Sequence, residues 1–317
     1  MRSSRGRRLR AVSEDLDDLT IVLIGPGRAG RAFARSWTAS RGRIALAGRD
    51  ADATRRLAAE LPGGEARDLA GGSSLAGDVL ILSVPDDAIA RVAAALAPRG
   101  TWRFALHFSG ALGSGVLAPL VSAGAKLASL HPLRAFSGAP LENWKDAFVA
   151  VEGDEPAAKA AAAICRRIGA RPREIPALGK PLYHAAATLA AGGSASLLSF
   201  AARAWASAGL DEEEGRVALA ELAATAVDAV SRLPFEKAMT GPVARRDVAT
   251  VQLHKDALAD RPDLAALYAL LARETLRRTP GRGKEDEIAA ILGLAESAGY
   301  PNPDGTGKKS DTRGPNG

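Results

Sequence analysis

The chain has 317 residues, enough for two domains that each bury a core. Its 47% hydrophobic content is ordinary for a globular protein, and its single cysteine, Cys165, excludes an internal disulfide and a cysteine-rich metal site. The formal charge of +6 owes most to Arg2, Arg5, Arg7, Arg8 and Arg10, so the basic balance belongs to a tail and does not point to nucleic acid.

Residues 1–17 are expected to form a disordered basic head, in which Glu14, Asp15, Asp17 and Asp18 offset part of the charge. No secretory h-region follows it, and no apolar run reaches the length of a membrane span. With one cysteine the chain reads as reduced and cytoplasmic, with no membrane partner. Thr20–Ile24 is a short β-branched run ending in glycine, as in a buried parallel strand. A helix over 29–40, a strand over 43–47 and a helix over 51–61 follow. A third unit near 65–76 has a poorly marked strand. Residues 78–84 are the clearest strand; Pro85 ends it, and a helix runs to about Leu96. Further strands fit 103–108, 126–130 and 147–152. Strands alternating with helices predict a doubly wound parallel sheet, a Rossmann domain over 18–153.

Beyond about Pro176 strand alternation stops. Leu182–Ala208 is a long Ala-rich helix with Gly209 as its cap, and Asp211 caps a helix to about Leu233. Helices also fit 246–259, 263–278 and 285–298. The expectation is an all-helical domain over 154–280 for substrate and dimerisation. A final segment, 281–317, holds the last helix and a Gly/Pro/Lys-rich tail.

Gly25-Pro26-Gly27-Arg28-Ala29-Gly30 follows the first strand and opens the first helix. That is the setting in which this glycine pattern binds a dinucleotide. Gly25 suits the tight turn, Gly27 the approach of a pyrophosphate, and Gly30 the packing of helix on strand. The helix N-terminus offers free N–H groups to the phosphates. The second strand ends in Ala47-Gly48-Arg49 and not in the carboxylate that binds a ribose 2′-hydroxyl. Arg49 can hold a 2′-phosphate, with Arg28 adding to phosphate binding, so NADP is the expected cofactor. Ser83, Val84, Pro85 and Asp86 end the strand expected beneath the nicotinamide side. The four histidines form no close metal-binding spacing, so no metal is expected.

Four further stretches carry a resemblance: His107-Phe108-Ser109-Gly110-Ala111, Ser129-Leu130-His131-Pro132-Leu133, Tyr183-His184-Ala185-Ala186-Ala187 and Thr240-Gly241-Pro242-Val243-Ala244-Arg245-Arg246-Asp247. With the glycine loop they resemble the Rossmann-like oxidoreductases that carry the C-terminal domain of unknown function 2520. Those are distantly similar to 6-phosphogluconate dehydrogenase, ketopantoate reductase and pyrroline-5-carboxylate reductase. The resemblance implies a helical C-terminal domain of the 6-phosphogluconate-dehydrogenase type and a homodimer built through it. One departure stands out. Ala190-Ala191-Gly192-Gly193-Ser194 lacks the asparagine of the family's Ala-Ser-Asn stretch, and with it an amide that helps hold substrate in related dehydrogenases.

Lys180 and His184 are four residues apart and share a face if both are helical, although Pro181 suits the first helical position and would make Lys180 the cap. Similar dehydrogenases place a lysine and an asparagine at this separation, which implies Lys180 or His184 as general acid; a buried helix histidine beside a solvated lysine is the alternative. The resemblance also implies that Ser109 bonds substrate. His131 is held extended by Pro132 and can face a cleft or make a structural hydrogen bond. Thr240 and Arg245 fit an anion-binding loop, with Asp247 as a helix cap and His254 in a core or surface role. Together these point to an NADP(H)-dependent reductase of a small carbonyl or imino acid, a 2-oxo acid such as ketopantoate among them. The small-molecule substrate would carry a carboxylate. The alternative is a non-catalytic NADP-binding sensor or scaffold.

Overall fold

The computed structural model describes Leu16 and residues 19–71, 75–139 and 141–294. The expectations for the basic head, the tail and the end of the last helix lie outside these residues. The chain divides into two compact units, up to Gly193 and from Ser194.

The first unit is built on one eight-stranded sheet in the order β3-β2-β1-β4-β5-β6-β7-β8. Its elements are β1 (Thr20–Ile24), α1 (Arg28–Ala39), β2 (Arg43–Ala47), α2 (Ala51–Glu60), β3 (Gly64–Ala66), β4 (Val79–Leu82), α3 (Asp86–Leu96), β5 (Phe104–His107), β6 (Lys126–Pro132), β7 (Phe148–Gly153), α4 (Glu155–Arg167), β8 (Arg171–Glu174) and α5 (Lys180–Thr188). β1 and β4 are buried along almost their whole length, as apolar strands covered on both faces must be. Phe33 and Trp37 of α1 join Leu57 of α2 and Ile164 of α4 in one core cluster. Ile89 and Leu96 of α3 join Leu117 and Leu120 of the 3-10 helix Ser114–Ala123 in the other. The strand order reverses between β1 and β4, whose carboxyl ends carry Gly25 and Ser83. In open α/β sheets that is where a crevice forms for a ligand.

The sheet departs from the expected parallel pattern at β7, which pairs antiparallel with β6. Among the described residues between the two strands, 133–139 and 141–147, there is no crossover helix, so the chain returns in the opposite sense. Trp144, fully buried, fixes this loop: its backbone N–H donates to Ser36 Oγ at 2.9 Å and its indole Nε1 donates to Ala29 O at 3.2 Å. Its ring lies edge-on to Phe33 at 5.3 Å. The expected domain boundary at 153 is also displaced. α4 packs on the sheet, and β8 extends it in parallel with β7. The sequence Arg-Pro-Arg-Glu of β8 shows no apolar alternation because it is an edge strand, largely exposed. Cys165, on α4, is buried, and burial pushes its thiol up to about 12.

The expected helix over Leu182–Ala208 is interrupted. Lys180–Thr188 is α-helical, Leu189–Gly193 forms a π-helical turn, and α6 (Ser194–Ser207) begins after it. The Gly192-Gly193 pair, with the weakest α preference after proline, lies in that turn. The expectation that no stretch is long and apolar enough to span a membrane is also corrected. Ala177–Ser207 passes on length and composition, with a mean hydropathy of 1.4 over its most apolar window.

The second unit is helical throughout its described residues: α6, α7 (Glu212–Arg232), α8 (Phe235–Ala238), α9 (Pro242–Arg245), α10 (Val248–Ala257), α11 (Pro262–Arg278) and α12 (Glu285–Ile291). Asp211 caps α7 by accepting from Glu214 N, and Asp247 caps α10 by accepting from Thr250 N, both at the sequence-expected positions. A small core gathers Val243, Val251, Ala272 and Ile288.

Candidate functional site

Two cavities of the first unit carry the candidate chemistry. The larger, about 800 Å³, opens where β1, β2 and β4 end, and Gly25, Pro26, Gly27, Arg49, Ser83, Val84 and Pro85 line it together. Each glycine of the loop has its own reason. Gly25 has a φ of +79°, and a Cβ there would sit 2.6 Å from Val84 Cγ1. A Cβ on Gly30 would sit 2.8 Å from Ser83 Oγ. Gly27 is different. Its φ of −71° suits any residue, and a Cβ would meet nothing nearer than Gly25 O at 4.0 Å. Neither backbone nor packing demands glycine there, and the open side faces the cavity. Gly27 is also the N-cap of α1, whose first turn has no side-chain cap and no acidic residue. Its free N–H groups and positive dipole end suit phosphate oxygens.

Arg31 and Arg91 line the same cavity beside Arg49, so three guanidiniums border it against Asp50 and Asp87. Asp50 is turned to its own helix: its carboxylate accepts Ala53 N at 2.8 Å and caps α2. The other three expected loop contacts fall elsewhere. Arg28 leaves the cavity; its side chain lies beside Gly138, and its charge helps hold the Glu142 carboxyl low, after the hydrogen bonds from Ser137 and Gly138. Ala29 supplies a carbonyl to Trp144, and Gly30 packs on Ser83. Arg31 Nε donates to Pro26 O at 3.1 Å, which keeps that guanidinium at the loop. One helical turn decides which of Arg28 and Arg31 faces the cavity, and that phase is not visible in the glycine spacing.

The second cavity, about 560 Å³, is lined by His131, Leu133, Arg134, Tyr183, His184 and the small residues from Ala186 to Gly192. His131 and His184 meet edge to face with ring centroids 5.5 Å apart. His131 Nδ1 and Tyr183 OH are 3.0 Å apart. Gly110 lets the rings close in, because a Cβ on it would meet the His184 ring and lie 2.8 Å from His131 Nε2. Desolvation, aided by the neighbouring His184 and Lys180, lowers the His131 pKa to about 4, so its ring is neutral at pH 7. Burial raises the Tyr183 phenol, which therefore keeps its proton.

Beneath this cavity Lys180 is 1% exposed. Its Nζ donates to Ser109 O at 3.1 Å and to Ser129 Oγ at 2.8 Å. Ser129 Oγ donates to Glu152 Oε2 at 3.2 Å, and Glu152 also accepts Ser114 N and Ser114 Oγ at 2.8 Å each. Desolvation lowers the Lys180 pKa, opposed by Glu152 and Asp86. Lys180 is thus a buried cation held by a polar network, not a solvated lysine. Ser109 is committed as well: its hydroxyl donates to Asp86 Oδ2 at 2.7 Å and accepts Leu112 N at 3.0 Å. His107, fully buried, accepts Ser109 N at Nδ1, and burial lowers its pKa to about 4, with Lys180's charge next in weight.

Lys180, His184, Ser109 and His131 are therefore brought together. Thr240 and Arg245 are in the second unit and line neither cavity. Arg245 is exposed at the end of α9, while its neighbour Arg246 is buried and binds Val243 O, Thr279 and Glu285. His254 meets Tyr268 OH at 3.0 Å in that unit. Arg31, Arg91, Arg134 and Glu152 were not singled out from the sequence. Asp86 and Ser129 were met there only as the end of Ser83-Val84-Pro85-Asp86 and the start of Ser129-Leu130-His131-Pro132-Leu133. Among the described residues no cluster of His, Cys, Asp and Glu could hold a metal ion.

Comparison with known proteins divides the chain earlier, between residues 132 and 147. Residues 12–132 match a Rossmann-like domain, and residues 147–275 match the domain of unknown function DUF2520. No curated protein matches by sequence. Protein TM1727 of Thermotoga maritima is similar in structure, with a TM-score of 0.68 and 26% identity over 82% of this chain and 98% of that one. BF3122 of Bacteroides fragilis, provisionally named an NADP oxidoreductase, gives 0.65 and 22% over 83% and 100%. The pyrroline carboxylate reductase of Plasmodium falciparum, solved with NADP bound, gives 0.55 and 12% over 87% and 99%, a likeness of fold. The chain thus joins a Rossmann-like domain to a C-terminal DUF2520 domain.

Proposed function

We propose that the chain is an NADP(H)-dependent oxidoreductase that reduces a small carbonyl or imino acid. The carrying observation is Gly27, a glycine that only a ligand requires, at an uncapped helix N-terminus beside three arginines. In this reading the Gly25–Gly27 loop and the start of α1 hold the pyrophosphate. Arg49 meets the 2′-phosphate, and Asp50 does not oppose it because its carboxylate is spent on α2. Ser83, Val84 and Pro85 line the same cavity at the end of β4 and border the nicotinamide side in this reading. NADP-binding neighbours of the same fold support the choice of cofactor.

A bound reduced nicotinamide supplies hydride to the substrate carbon, and the protein must deliver a proton to the oxygen or nitrogen. His184 lines the second cavity and is the donor in this reading. Lys180, with its Nζ engaged below, contributes positive potential to the developing anion and not a proton. Neutral His131, bonded to Tyr183, orients the substrate heteroatom.

The protein works as a homodimer in this proposal, because the helical unit leaves Val217, Leu222 and Val227 exposed. The deciding experiment is a fluorescence titration with NADPH and NADH on wild type and Arg49→Ala. The expected result is an NADPH preference that collapses in the variant, by about tenfold or more for a lost charged contact. Equal affinity for the two cofactors, or no binding, would sink the assignment.

A further inference from the structure

The second cavity has a cation at its rim that no carboxylate among the described residues pairs with. Arg134 lines it, stands two residues beyond the end of β6, and is exposed. Its Nη1 donates to Asn143 O at 3.3 Å and its Nη2 to Lys145 O at 3.1 Å. These carbonyls flank Trp144, the buried anchor of the 133–147 loop. The guanidinium is therefore aimed by the core. Two of its five N–H groups are used, both on neutral carbonyls, and no carboxylate among the described residues pairs with it. A planar fork with free N–H groups and full charge is matched by a carboxylate in two-point contact.

The rest of the lining sets the other end of the ligand. His131, Tyr183 and His184 make a polar corner, and Ala186, Ala187, Ala190 and Ala191 make an apolar wall of methyl groups. We propose that Arg134 is the specificity-determining anchor of this cavity and selects acids: a short aliphatic chain with a carboxylate at Arg134 and a carbonyl or imine at the His131–His184 corner. This rests on the proposed reductase reading, with the anchor on the first unit and not at Arg245.

The test titrates full-length protein with 2-oxohexanoate and with its methyl ester, following the ring proton signals of His131 and His184 by NMR. The acid should move both signals saturably, and the ester should need about tenfold more, the value of one charged hydrogen-bonded contact. Arg134→Gln should weaken the acid by about the same factor and leave the ester unchanged. Arg134→Lys, which keeps the charge and loses the fork, should fall between. Acid and ester of equal affinity, an unaltered Arg134→Gln, or histidine signals that the acid does not move would each overturn the anchor. NADPH titration of the same variant separates the two readings. Unchanged NADPH affinity is expected, and loss of NADPH binding by wild type too would count against the reductase while leaving the acid titration readable.

Discussion

Helices α4 and α7 are both rich in alanine, and the fold treats them in opposite ways. In the first unit α4 buries Ala157, Ala158, Ala160, Ala161, Ala162, Ile164 and Cys165 against the sheet. In the second unit α7, with 21 residues, buries only Gly215, which sits under the ring of Trp205. Its Leu222 and Val227 are each 65% exposed. Alanine periodicity alone does not say whether a helix finds its cover within the chain. The first unit completes its own core around the sheet. The second leaves apolar side chains whose full burial would each be worth roughly 1.5–3 kcal/mol.

The sharpest way to break this contrast is to measure mass. Light scattering should return twice the chain mass, and Leu222→Glu combined with Val227→Glu should return one chain mass with the far-UV spectrum retained. A wild type that stays monomeric at micromolar concentration would mean that α7 is meant to stand in water.

Within the first unit, two glycines of one loop should respond differently. Gly25→Ala meets a left-handed backbone and Val84 Cγ1, so it should cost about 3 kcal/mol in urea unfolding. Gly27→Ala should change stability by less than about 1 kcal/mol while lowering NADPH affinity about tenfold or more. Equal losses of stability in the two variants would show that Gly27 serves packing after all.

The acid response should also divide the units. His107 and His131 are neutral in the fold, with pKa values lowered to about 4 by desolvation. The unfolded chain takes up protons near pH 6.5, so this stability is present above that value and is lost as pH falls from about 6.5 towards 4. The unfolding free energy from urea titrations should therefore drop across that window by about 3 kcal/mol for each histidine. His107→Gln should flatten the slope. A slope that the variant leaves unchanged would assign the acid sensitivity elsewhere.

Much of this was readable from residues 20–60 and 78–107, where β-branched runs end in glycine or proline and the glycine loop stands between a strand and a helix. The helix caps at Asp211 and Asp247 were equally legible, because a side-chain oxygen before an apolar run has a local partner. What was hidden depends on distant partners. The β7 direction follows from a loop without a crossover helix, and β8 is an edge strand whose pairing supplies what its Arg-Pro-Arg-Glu sequence does not. The sequence left Lys180 between a general acid and a solvated lysine, and its burial came from Ser109, Ser129 and Glu152. Arg134 acquires meaning only through Trp144, ten residues on, which aims it.

Cys165 has a practical consequence. The chain holds one sulfhydryl, and α4 keeps it fully buried with its thiolate suppressed. Maleimide chemistry on the folded protein should therefore start from a silent background. A cysteine placed at the rim of either cavity, or on the outer face of α7, would be the one reactive position. Fluorophores or spin labels could then be installed one at a time, with no native residue removed first.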